Sequence, residues 1–101
     1  MKVNIGDYKK DGTRKTKVKI SRDDIYSLDA TLALVILPAL KKYRENEGGR
    51  PCDISEEEWH EIIDKMIKSF QMKIDDDTWE DAQEMQEGFE LFGEWYQNLW
   101  I

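Results

Sequence analysis

KVNIGDYKKDGTRKTKVKI, residues 2–20, alternates apolar and polar side chains on both sides of an Asp11-Gly12 pair. That is a hairpin signal, because Asp-Gly suits the positive backbone angles of a two-residue type I′ turn. Such a loop sets the register: Ile5 lies opposite Val18 and Val3 opposite Ile20, with all four side chains on one face. The other face carries Lys2, Asn4, Tyr8, Lys10, Lys15, Lys17 and Lys19.

Downstream the period changes from two to that of a helix. A first helix is predicted over 27–47, capped by Ser27 and stopped by Gly48-Gly49. Leu28, Leu32, Val35, Ile36, Ala39, Leu40 and Tyr43 gather on one side of it, and Leu34 and Leu37 fall on the other. A helix apolar nearly all round belongs at the centre, covered on two sides. Pro38 withdraws one backbone donor and should bend it. The second helix, 55–74, has the clearest start. In ISEEEW, residues 54–59, Ser55 is the N-cap, Glu58 its reciprocal partner, and Ile54 and Trp59 the hydrophobic staple. Trp59, Ile62, Ile63, Met66, Ile67, Phe70 and Ile74 then repeat at helical spacing. The third helix, 78–99, takes Ala82, Met85, Phe89, Phe92, Tyr96 and Trp100 as its core stripe.

These elements predict an α+β fold, mainly α, in one domain over 1–101. A three-helix bundle carries the basic N-terminal β-hairpin of 1–22 packed on the central helix, with Val3, Ile5, Val18 and Ile20 against Leu34 or Leu37. The 40% apolar and 11% aromatic content supports a globular chain of 101 residues with one modest core. The longest apolar run, LALVILPAL at 32–40, is about half of the roughly 20 residues a bilayer span needs. Neither a signal peptide nor an anchor motif is read at the ends. With a single cysteine, Cys52, this leads to the expectation of a reducing, cytoplasmic setting and no membrane partner. Charge is unevenly placed. Residues 1–22 hold eight Lys/Arg against two Asp, net +6, whereas residues 23–101 hold seven against twenty acids, net -13.

Three blocks, IYSLDATLALVILPALKKYRE (25–45), EEEWHEIIDKMIKSF (56–70) and GFELFGEWYQNLW (88–100), together resemble a family of small proteins from tailed bacteriophages. The resemblance covers most of 25–101 and the hairpin less clearly. It implies a phage-encoded protein acting in the host cytoplasm, and it brings no activity and no catalytic residues with it.

Chemistry-bearing patterns are sparse. Glu56, His60 and Asp64 form a row at helical spacing, but zinc usually takes several His or Cys ligands, and His60 is the only histidine. Asp75, Asp76, Asp77 and Asp81 lack the glycine and glutamate spacing of a calcium loop, so they are taken as a helix-capping acidic linker. Nothing sets Ser21, Ser27, Ser55 or Ser69 apart as a nucleophile, and no phosphate-binding glycine loop is present. The expectation is therefore no catalysis, no metal and no cofactor.

Two surfaces remain as candidates. From Asp75 to Glu94 there are nine acids and no Lys or Arg. Leu91 and Trp95 lie among Glu84, Glu87, Glu90 and Glu94, off the predicted core stripe. An apolar centre with an acidic rim would suit a host protein with a basic surface, or a second copy of the chain. A phage protein modulating, and specifically inhibiting, a host defence or nucleic-acid-processing factor is the primary expectation. The alternative is a nucleotide or short nucleic acid held by Tyr8, Lys10, Lys15, Lys17 and Lys19, or a structural, assembly role. Lysines on an exposed two-stranded sheet also discourage edge pairing, which needs no ligand.

Overall fold

Gly12 takes a φ of +85°, the left-handed conformation that the Asp-Gly signal requires. The turn around it, however, is longer than two residues. Lys9 N–H donates to the Thr13 carbonyl at 2.8 Å and Gly12 N–H to the Lys9 carbonyl at 3.0 Å, so Lys10, Asp11 and Gly12 form a three-residue loop with glycine at its left-handed position. Asp11 braces it by accepting from Thr13 N–H at 3.0 Å and from the Thr13 hydroxyl at 2.6 Å.

The structure, a computed structural model, describes residues 1–46, 49–75 and 81–101. The chain gathers into two compact units, residues 1–31 and residues 32–101. The fold is α+β and mainly helical, with one antiparallel hairpin.

In the first unit, β1 (Lys2–Tyr8) pairs with β2 (Arg14–Lys19), and a five-residue helix α1 (Arg22–Tyr26) follows. The longer loop corrects the predicted register. Val3 faces Val18, Ile5 faces Thr16, and Lys2 faces Lys19. The slip is an even number of residues, so Val3, Ile5 and Val18 still share a face. A bulge between Ile5 and Tyr8 sets Gly6 and Asp7 against Lys15. Because one extra residue inverts the alternation, Tyr8 pairs with Arg14 and turns to the Val3–Val18 side. Within this unit the hairpin's apolar face is open. Val3 is 44% exposed and Val18 47%, with Ile5 and Ile20 more open still. Asp24 closes the unit by accepting from Ser21 N–H at 2.7 Å and from the Met1 amino group at 2.6 Å.

In the second unit, α2 (Leu28–Glu45, of which residues from 32 belong here), α3 (Glu56–Asp75) and α4 (Ala82–Trp95) carry the core. A single 3₁₀ turn (Tyr96–Asn98) follows. Helix α2 contributes one stripe, Ala33, Leu37 and Leu40, to a cluster with Trp59, Ile63, Met66 and Phe70 of α3. Within this unit one stripe of it is covered, while Leu34 is 61% exposed and Leu32 and Val35 are also open. Pro38 lies inside α2, which runs through it. At the start of α3 the Ser55 hydroxyl accepts from Glu58 N–H at 3.1 Å, as the capping motif predicts. The predicted start of the third helix at residue 78 lies outside the described residues.

The phase of α4 is the main departure in this unit. Gly88 is its buried residue. A methyl there would strike Ser69 Oγ, and would sit 2.5 Å from the Lys65 carbonyl oxygen and 2.6 Å from Ser69 Cβ. Glycine thus lets the α4 backbone lie directly on α3, and the buried line is centred on residue 88. Met85, Phe89, Leu91, Phe92 and Trp95 turn inward, while Ala82, Tyr96 and Trp100 are exposed. A pattern built from large apolar residues gives glycine no weight, which is why the predicted stripe was rotated.

Candidate functional site

Strand alternation and the corrected register place Lys2, Asn4, Lys15, Lys17 and Lys19 on one face of the hairpin. Lys2 is paired directly with Lys19, and Asn4 with Lys17. These four line a shallow depression of about 200 Å³. Directly opposed like charges destabilise a strand pair, and neither Lys2, Lys15, Lys17 nor Lys19 has an ion-pair partner among the described residues. Along β2 the three lysines recur about every 7 Å, two strand residues apart. This face is an uncompensated cationic strip.

Of the predicted phosphate-binding set, the structure brings together Lys15, Lys17 and Lys19. Lys10 sits in the turn. Tyr8 is displaced to the opposite face by the bulge, where the Arg14 guanidinium lies 4.7 Å over its ring. Arg14 is held there by donating from Nε to the Gly6 carbonyl at 2.7 Å. The lysine face of the two strands consequently carries no aromatic ring of its own. Lys2 and Asn4, on the same face in the predicted register, complete the site, and the observed register sets them opposite Lys19 and Lys17.

The acidic and aromatic face of α4 does not form the expected patch. Trp95 packs edge-on against Trp59 with ring centres 5.8 Å apart, and Leu91 joins the same core. Glu84 meets Lys68 Nζ at 2.7 Å and Glu87 meets Lys65 Nζ at 2.9 Å. Both lysines are shifted to higher pKa, first through the hydrogen bond to their glutamate and then through its charge. These acids lace α4 to α3. Glu90 receives only the Gln86 side-chain amide at 3.5 Å, and Glu94 has no ion pair among the described residues.

A second cleft, of about 200 Å³, is lined by Arg44, Arg50, Trp59 and His60 among others. Its basic side chains already lie against acids. Arg44 Nε donates to Asp64 at 2.9 Å, and Arg50 and His60 each lie 3.9 Å from Glu56. Asp64 is therefore turned toward Arg44 and not toward His60, which breaks up the Glu56–His60–Asp64 row. Trp59 is 3% exposed and its Nε1 has no hydrogen-bond acceptor among the described residues. Among those residues no group of three or more His, Cys, Asp or Glu is placed to hold a metal ion. Asp76 and Asp77 lie outside them. No described helix is long and apolar enough to cross a membrane.

No protein family, curated protein or solved structure matches the chain.

Proposed function

We propose that this chain is a non-enzymatic binding protein that holds a phosphate-bearing ligand, a short single strand of nucleic acid, on the lysine face of its hairpin. The observation that carries this reading is the cross-strand cluster Lys2, Asn4, Lys17 and Lys19, in which Lys2 lies directly opposite Lys19 and Lys17 opposite Asn4, with no acid in the cluster. An extended strand of phosphates offers successive negative charges at a step similar to the lysine spacing, and would remove the repulsion. Contact is to backbone charge alone, since Tyr8 faces away, so the reading requires sequence tolerance and strong salt dependence. At physiological salt, charges more than about 8 Å from the strip are largely screened.

The reading in which α4 engages a basic host protein is the weaker one. Leu91 and Trp95 serve the core, and Glu84 and Glu87 are paired. The phage resemblance supports a setting in the host cytoplasm, where holding nucleic acid would compete with a host factor for it.

Fluorescence anisotropy with a labelled single-stranded oligonucleotide tests the proposal. Binding should weaken with salt at a log–log slope of about -2 for three lysine–phosphate contacts. Replacing Lys2, Lys17 and Lys19 together by Gln should abolish it. Absence of binding by the parent chain at low salt would remove the reading.

A further inference from the structure

Three of the four side chains that line the depression on the hairpin are lysines, which can only donate hydrogen bonds. The fourth is Asn4. It lies directly across from Lys17, two residues along its own strand from Lys2, and on the diagonal from Lys19. Asn4 is exposed, and its side-chain amide has no hydrogen-bond partner among the described residues. It is the shortest of the four side chains, so the depression of about 200 Å³ opens over it. Its carbonyl oxygen is the one side-chain acceptor that the lysine face offers. A phosphodiester satisfies the lysines but has no proton to give to that oxygen.

We infer that the strand held on this face is RNA, and that Asn4 accepts a hydrogen bond from a ribose 2′-hydroxyl. The inference rests on the proposed phosphate reading of the lysine face and names its ligand. A strand with its phosphates on the lysines brings its sugars next to the sheet, because each sugar is bonded directly to the phosphates on either side. Its bases project farther out. Along the backbone of an unbroken strand only the 2′-hydroxyl carries a proton to donate, and deoxyribose lacks it. A cavity of about 150 Å³ accommodates benzene, so a five-membered sugar ring fits the depression over Asn4. The contact reads no base, and the sequence tolerance of the phosphate reading is kept.

Fluorescence anisotropy of one sequence in three backbones (DNA, RNA and 2′-O-methyl RNA) tests it on the full chain at a single low salt concentration. RNA should bind about three- to tenfold more tightly than DNA, the worth of one net hydrogen bond. The 2′-O-methyl strand keeps the ribose oxygen without its proton and should bind no more tightly than DNA. Asn4→Ala should bring the ratio of RNA to DNA affinity to about one. Equal binding of RNA and DNA by the parent, 2′-O-methyl RNA bound as tightly as RNA, or a ratio that survives Asn4→Ala would each overturn the inference and leave the phosphate reading standing. Failure of the parent to bind any of the three would remove both.

Discussion

Gly88→Ala should destabilise the helical unit although alanine is the better helix former. The added methyl falls 2.5 Å from the Lys65 carbonyl oxygen and 2.6 Å from Ser69 Cβ, where ordinary contact begins at 3.4 Å. Ser69 cannot swing away into water, being 1% exposed, so α4 must move off α3. Overpacking costs about 1–3 kcal/mol, and a backbone oxygen at 2.5 Å puts this site in the upper part of that range, about 2–3 kcal/mol, against about 1 kcal/mol gained in helix propensity. A net loss of about 1–2 kcal/mol is expected, or roughly 5–15 °C in melting temperature for a unit of this size. Gly93→Ala is the internal control. It lies on the same helix with nothing within 4 Å of the added carbon, so it should gain about 0.5–1 kcal/mol. Urea and thermal melts of both variants, followed by far-UV circular dichroism, separate packing from propensity. Equal or greater stability of Gly88→Ala relative to the parent would refute the close α3–α4 crossing, and with it the inward placement of Trp95.

Trp95→Ala should cost stability whether or not a partner is present, up to about 3 kcal/mol for a half-buried tryptophan that also supports Trp59; an unchanged melt would put Trp95 back on the surface. Gly12→Val forces a branched residue into φ +85° and should weaken the hairpin by about 1–2 kcal/mol, read as lost amide protection in residues 2–19. The Asp11 carboxyl is held below the usual carboxylate range by the Thr13 hydroxyl and then by Thr13 N–H. Its contribution to the turn is present above the ordinary Asp pKa and fades as pH falls through the depressed value. Thr13→Val should therefore move the Asp11 titration upward in a carboxyl-detected NMR series, and no movement would discard the bracing role.

Local physics was legible in the chain itself. The hairpin with a left-handed Gly12, the Ser55 cap of α3, the apolar period of α3 and the split between a basic beginning and an acidic remainder all depend on residues near one another in sequence. What required tertiary structure were the properties set by distant partners. A three-residue loop in place of two set Lys2 opposite Lys19, and a bulge opposite Lys15 moved Tyr8 off the lysine face, although neither altered a residue type. Gly88 has no side chain to register in a hydrophobic pattern, and its meaning appears only where Ser69 lies across from it. With Gly88 lying against Ser69, Leu91 and Trp95 of α4 join the core. Sequence determines which faces can exist along each element, because periodicity is local. Which face is buried depends on the closest approach of two backbones, and that distance belongs to the pair.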